Sequence, residues 1–318
     1  MDTAIYLITL FSFLIAGALC ARFLVPAAWS GLVDRILSLC LYLLLFFMGV
    51  KTGQIEDIGT KLSMIGFQAL AAAVVTAGGS AVVVIMLNRV FHRKKTSGLP
   101  VETQREQKKR QTSVRELAAH LREPGRLLVL VLAGALLSAL TSLFGWYNDD
   151  ISNILLYILL FFVGMQMVQS QTDMLSVLKD PVSILLPVAT VAGTLAASLL
   201  LPLVTHISVW ESLALASGFG WYSLSGVIIS ELGDPILGSV AFLSNLFRES
   251  IAFLSVPFLA SFAQKRAGIS VCGATSMDVT LPIVEKNCGP EYVPLSLAHG
   301  IILTLIVPFL VPFFYSFA

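Results

Sequence analysis

The sequence predicts an all-α polytopic membrane protein built on inverted repeats. Three observations carry that expectation: a composition poor in charge, long apolar runs broken by two glycine-rich polar stretches, and internal repeats at fixed offsets. Of 318 residues, 57% are hydrophobic and 12% charged, against about 25% charged in soluble domains. The mean hydropathy is +0.87. A net charge of +1 gives no bulk attraction to nucleic acid. Cys20, Cys40, Cys272 and Cys288 show no CxxC spacing and read as small apolar residues rather than a disulfide or zinc framework. The first apolar run starts at Thr3 with no basic stretch before it, so it reads as a retained span rather than a cleaved signal.

A span takes about 20 apolar residues, and six runs qualify: 3–25, 36–50, 62–88, 127–146, 151–169 and 181–205. The polar segment 89–126 holds 11 of the 20 basic residues against four acidic ones. It reads as a solvated cytoplasmic loop under the positive-inside bias, a lipid-headgroup or partner site being the other reading. The expected organisation is a three-span repeat over 1–88, the basic loop over 89–126, and an inverted three-span repeat over 127–206. The transport region covers 207–318.

The repeats rest on matched strings. AGAL at Ala16–Leu19 recurs at Ala133–Leu136, and LYLLLFFMG at Leu41–Gly49 recurs as LYILLFFVG at Leu156–Gly164, an offset of 115. Ala77-Gly78 maps onto Ala192-Gly193 at that same offset. Three spans per copy is an odd number, so consecutive copies insert with opposite orientation, a signature of secondary transporters. The remainder repeats at an offset of 55, pairing Gly218 with Gly273, Ile228 with Ile283, Pro235 with Pro290 and Pro257 with Pro312. Each copy is a broken segment followed by a span: 210–233 then 236–263, and 266–288 then 291–317.

Charge distinguishes two topologies. With the basic loop inside and the broken segments re-entering, 17 basic residues fall inside, two outside, and Arg248 within a span. With both broken segments crossing, the ratio is 15 to four. The bias favours eight spans, two re-entrant hairpins and both termini outside; ten spans, two of them broken, is the alternative.

Breaks in an apolar segment survive only where they are buried in protein or line a wet cavity. The first is GFGWYSLSG, Gly218–Gly226, and the second CGATSMDVTLP, Cys272–Pro282. Ionisable residues at membrane depth are costly and usually functional; here they are Arg248, Glu249, Asp278 and His299. Asp278 lies beside unwound backbone, where a carboxylate can hold a cation, an ammonium group or a proton. Glu249 sits near mid-depth. Asn245 shares its helix face and offers hydrogen bonds. Arg248 reads equally as an ion-pair or packing group and as a substrate ligand, and His299 as a proton relay or a histidine bonded between spans. Trp221 and Tyr222 either contact substrate or pack the loop. Ser223, Ser225, Thr275 and Ser276 add neutral hydrogen-bonding groups. Glu231, Asp234, Glu285, Lys286 and Glu291 read as a solvated rim. There is no GxxxxGK[ST] or HExxH motif, and GWYSLSG lacks GxSxG spacing, so no enzyme and no cofactor is expected.

At these residues the sequence resembles the bacterial lysine exporter (LysO) family. The likeness is carried by ASGFGWYSLSG at Ala216–Gly226, Arg248-Glu249, VCGATSMD at Val271–Asp278 followed by TLP, and His299-Gly300, and it extends over most of the chain, the basic loop matching least. The resemblance implies export of L-lysine and of analogues such as thialysine across the inner membrane. It also implies essential intramembrane acids, which fall on Glu249 and Asp278. The chemistry is compatible. Two carboxylates can receive ammonium groups, and helix N-termini at the breaks can receive the substrate carboxylate. Expelling a monovalent cation against an inside-negative potential costs about 2.3 kcal/mol per 100 mV, which exchange for an incoming proton removes. Sodium coupling, a cation antiporter without organic substrate, a channel and a receptor remain the rival readings. Membrane lipids are expected partners, and a homodimer stays open.

Overall fold

The computed structural model describes residues 3–23, 29–55, 58–94, 122–141, 143–144, 146–147, 149–169 and 181–318. Every regular element among them is helical. The first half holds α1 (Thr3–Phe23), α2 (Ser30–Gly53), α3 (Ile58–Lys94), α4 (Arg122–Leu140), α5 (Asp149–Gln169) and α6 (Pro181–Ser198). After the single turn α7 (Leu201–Val204) come α8 (Val209–Ala216), α9 (Tyr222–Glu231) and α10 (Pro235–Ser261). Then follow α11 (Lys265–Cys272), a 3-10 turn over Gly273–Met277, α12 (Leu281–Cys288) and α13 (Val293–Tyr315). The basic stretch 95–121 lies outside the described residues, as does Lys179.

Among the described residues, five helices are long and apolar enough to cross a membrane: Ser30–Gly53, Lys61–Arg89, Ser183–Val204, Pro235–Ser261 and Pro290–Tyr315. Shorter apolar helices cover Ile8–Phe23, Gly125–Leu140 and Asp150–Gln166. The chain is thus a helical membrane protein. Several helices outrun the apolar stretches that announced them. α2 begins at Ser30 rather than 36, α3 continues to Lys94, and α4 starts at Arg122, both inside the segment read as loop. Hydropathy measures bilayer depth, whereas a helix continues into the polar zone as long as its residues tolerate it.

Helix starts in the second half are written locally. Ser208 and Glu211 form a capping box at α8, with Ser208 N–H donating to Glu211 Oε2 (2.6 Å) and Glu211 N–H to Ser208 Oγ (3.2 Å). Asp234 Oδ1 accepts from Leu237 N–H (2.9 Å) at the head of α10, where Pro235 takes a position needing no donor.

The helices of 1–88 and those of 127–206 pack through contacts at corresponding positions. α1 lies on α5, α2 on α4, and α3 crosses α6. Glycines set the approach. A β-carbon added to Gly17 would stand 1.9 Å from the Phe161 carbonyl oxygen, and one on Gly134 would stand 2.2 Å from that of Phe46. Gly49 meets the Val131 carbonyl and Gly164 that of Leu14, each at 2.1 Å. Phe46 and Phe161 are equivalent at the offset of 115, and so are Leu14 and Val131 in the AGAL alignment. Contacts swapped in this way are the mark of a two-fold relation, and small residues at such crossings allow backbones to touch in a membrane. Burial follows the same register: Leu44, Leu45 and Met48 are buried, as are Leu159, Leu160 and Val163, while Leu39 and Leu43 are exposed like Ile154 and Ile158.

Helices α1, α2, α4 and α5 form one bundle, whereas α3 and α6 pack with α10, α11 and α13. The seam between the two groups runs where α2 meets α9 and α10, α5 meets α9, and α1 meets α13. A buried ion pair bridges it: Lys51 Nζ donates to Glu231 Oε2 at 2.8 Å, the side chains being 9% and 1% exposed. Beside it, the Thr52 and Ser239 hydroxyls are 2.9 Å apart. Glu231 is therefore no solvated rim residue. Sequence order hid the pairing, because the partners are separated by 180 positions.

The ends of the second broken segment lie together. Lys265 at the start of α11 pairs with Glu291 beyond the end of α12 (3.3 Å) and stacks over the Tyr292 ring at 5.0 Å. Arg266 Nη1 donates to Asn88 Oδ1 near the end of α3 (3.5 Å).

Two outcomes test this packing. Gly49→Val and Gly164→Val each force a side chain into backbone at equivalent crossings, so both lower the thermal midpoint in detergent, by about 1–3 kcal/mol or more. Gly78→Ala, which meets no atom within 4 Å, leaves it unchanged. Glu231→Gln deprives a buried lysine of its carboxylate and destabilises by about 3–5 kcal/mol, with recovery in the charge-swapped Lys51→Glu/Glu231→Lys double variant.

Candidate functional site

The two breaks meet tip to tip. Ala274 N–H donates to the Phe219 carbonyl at 2.8 Å, and these residues are equivalent at the offset of 55. The approach needs glycine. A β-carbon on Gly273, at φ +65°, would fall 1.9 Å from the Phe219 carbonyl oxygen, and one on Gly220, at φ +101°, would fall 3.1 Å from that of Cys272. Phe219 itself has φ 45° and is fully buried. A non-glycine residue held there is strained, and such strain persists only where the surroundings over-determine it.

Asn245 on α10 holds the first tip. Its Oδ1 accepts from Gly220 N–H (2.7 Å), while Nδ2 donates to Ser225 Oγ (3.1 Å) and to the Ala241 carbonyl (2.9 Å). The amide spends itself on the loop. Tyr222 is buried with its ring set edge-on to Phe242 at 5.7 Å, and Trp221 packs against the core in part. Ser223 is buried in the first turn of α9.

The second tip is held from inside and from both sides. Thr275 Oγ1 donates to the Cys272 carbonyl (2.9 Å), and Thr280 closes on the Thr275 carbonyl through N–H (3.0 Å) and Oγ1 (2.9 Å). Ser276 Oγ donates to the Ser296 carbonyl (3.0 Å), and Ser296 Oγ donates back to that of Ser276 (2.7 Å). His299 on α13, fully buried, reaches Ser276 Oγ through Nδ1 and Thr190 Oγ1 of α6 through Nε2, each at 2.9 Å. Thr190 also bonds the Leu186 carbonyl at 3.0 Å. A neutral imidazole donates once and accepts once, and each hydroxyl has a single proton, so one of the two hydroxyls donates to the ring in place of its carbonyl. His299 is thus bonded between spans.

The acidic residues differ in setting. Asp278 is exposed, and its Oδ1 accepts from the next N–H, that of Val279 (2.6 Å). Glu249 is 1% exposed and lies close enough to act electrostatically on Cys272, the last residue of α11. Its neighbour Arg248, equally buried, donates from Nε to the Val271 carbonyl (3.1 Å) and from Nη2 to that of Ser270 (3.1 Å). It also reaches Ser80 Oγ on α3 (3.4 Å) and Thr194 Oγ1 on α6 (3.3 Å). Thr190, Thr194 and Ser80 did not stand out in the sequence. The available signal was their place one turn or less from the α3–α6 glycine crossing.

Unwound backbone buried where two broken helical segments meet, with acidic residues near it, is the kind of site membrane transporters use. The family described as Lysine exporter LysO matches residues 11–103 and 128–315, so the chain belongs to the LysO lysine exporter family. It is 32% identical over 283 residues to the Lysine exporter LysO of Escherichia coli (strain K12), covering 89% of this chain and 90% of that protein. It is 33% identical over 159 residues to a Putative lysine exporter of Haemophilus influenzae, covering 50% of this chain and 81% of the other. No solved structure matches significantly.

Replacing Asn245 by Ala removes the side-chain acceptor of the buried Gly220 N–H. The expected loss is about 1–3 kcal/mol of stability, read as a lower thermal midpoint in detergent. Ser250→Ala, whose hydroxyl bonds only the Leu246 carbonyl of its own helix in this structure, serves as the control that stays near the wild-type value.

Proposed function

We propose that this chain is a secondary active transporter that exports L-lysine, and analogues such as thialysine, from the cytoplasm by proton antiport. The observation that carries the reading is the tip-to-tip meeting of the two breaks beside Glu249 and Asp278, in a chain of the lysine exporter family. Lysine carries two ammonium groups and one carboxylate. Glu249 and Asp278 alternate between holding ammonium and holding protons. The N-terminal end of α9, where Trp221 provides no side-chain cap, receives the carboxylate through the helix dipole. Trp221, Tyr222, Asn245, Ser223, Thr275, Ser276 and His299 shape and position the pocket rather than carry its charge.

In this reading the protein sits in the inner membrane with eight spans, two re-entrant hairpins and both termini outside. Several contacts support it. Lys265 and Glu291 bring the two ends of the second broken segment together, and Arg266 lies against the end of α3 that leads into the basic segment. Lys51 and Glu231 join the other end of the fold. The five long apolar helices and three shorter ones among the described residues support that count. The swapped glycine contacts support the inverted relation of the first two repeats. Alternating access moves α3, α6 and the hairpins against the α1–α2–α4–α5 bundle along their seam.

Counterflow of lysine in proteoliposomes tests the function. An imposed proton gradient is expected to drive lysine against its concentration, and both Glu249→Gln and Asp278→Asn to abolish it. Lysine movement indifferent to the pH gradient sinks the proton coupling and turns the search to sodium; proton or sodium exchange independent of lysine sinks the substrate. A cysteine at Lys265 is expected to react with impermeant reagent from the cytoplasmic side alone, and labelling from outside overturns the re-entrant topology.

A further inference from the structure

Arg248 neighbours the proposed charge-carrying Glu249, yet its hydrogen bonds run to backbone carbonyls and hydroxyls. Gly273 breaks α11 at φ +65°, and its N–H donates to the Ser270 carbonyl as the closing bond of the helix. Arg248 adds a donor to that carbonyl and another to the Val271 carbonyl beside it. Its positive charge stands where the helix dipole is negative. The rest of its fork reaches Ser80 and Thr194, both fully buried. Those residues immediately follow Gly79 and Gly193, whose added β-carbons would each stand within 3 Å of the other's carbonyl oxygen, at 2.6 and 2.7 Å. The two hydroxyls are thus presented symmetrically by the crossing of α3 and α6. Ser80 Oγ also lies 3.3 Å from the Ser270 carbonyl, which closes the network.

We infer that Arg248 is a positioning residue, a pin that fastens the break carrying Asp278 to the α3–α6 crossing so that these parts travel as one body. The inference deepens the transport reading and rests on it for its functional meaning. A guanidinium suits the task because its planar fork serves several acceptors in fixed directions. An ammonium of equal charge is a compact point donor on a flexible stem and cannot span them together. The pin explains why a permanently charged side chain is buried beside the site without being a ligand there.

The test uses the full chain in detergent with three variants: Arg248→Gln, Arg248→Lys, and Ser80→Ala combined with Thr194→Val. Amide exchange across 271–280 is expected to rise about tenfold in Arg248→Gln while α1, α2 and α5 keep wild-type protection. Arg248→Lys does not restore it, and the Ser80/Thr194 variant, which leaves the guanidinium in place, shows a smaller rise in the same segment. Lysine counterflow falls in the same order. Full recovery in Arg248→Lys makes charge the operative property and overturns the pin, as does a rise in exchange spread evenly over all helices. Should Arg248→Gln not fold, the Ser80/Thr194 variant decides alone: unchanged exchange at 271–280 defeats the inference. If wild-type protein moves no lysine, the transport reading fails, and the exchange pattern still decides the role of Arg248.

Discussion

One backbone hydrogen bond, from Ala274 N–H to the Phe219 carbonyl, organises the second half of this protein. Interrupting a helix in an apolar environment orphans donors and acceptors that water cannot reach. Here each interruption completes the other. Gly273 and Gly220 lack the β-carbons that would hold the strands of backbone apart, and Phe219 accepts a left-handed conformation that aims its carbonyl at the opposite tip. Asn245, Thr275, Thr280 and the Arg248 fork then account for the remaining polar groups around the contact. Without the tip contact, the surrounding side chains would have no fixed geometry to support.

Around that contact the helices sort into two groups by the kind of surface they present. The α1–α2–α4–α5 bundle closes through glycine crossings made twice over, once in each copy of the repeat. Dispersion and close backbone approach hold such crossings in lipid, where burial from water supplies little. The seam toward α9 and α10 is of another kind, with an ion pair and a hydroxyl pair embedded in apolar packing. Polar contacts are directional, so they define a register between the groups that apolar packing alone would leave looser.

Much of this was legible in the sequence, for identifiable reasons. The strings around Leu41–Gly49 and Leu156–Gly164 announced equivalent helices, and their burial patterns agree residue for residue at Leu44 and Leu159 or Leu39 and Ile154. The offset of 55 pointed to equivalent tips, and those tips touch. What an offset cannot convey is which equivalent elements pack together. The separation of α3 and α6 from the helices preceding them in each copy depends on contacts with α10 and α11 that leave no local trace. Glu231 looked like a rim residue because its partner Lys51 belongs to a different repeat. Arg248 read equally as an ion-pair or packing group and as a substrate ligand, because its acceptors are carbonyls and hydroxyls, which sequence does not single out.

The unequal settings of Asp278 and Glu249 bear on the proposed transport cycle. Asp278 stands exposed at the surface of the fold, whereas Glu249 is sealed at 1% exposure. If both acids carry protons and ammonium groups as proposed, Glu249 exchanges its charge only through a neighbouring group or after a rearrangement, and so keeps its state longer than Asp278.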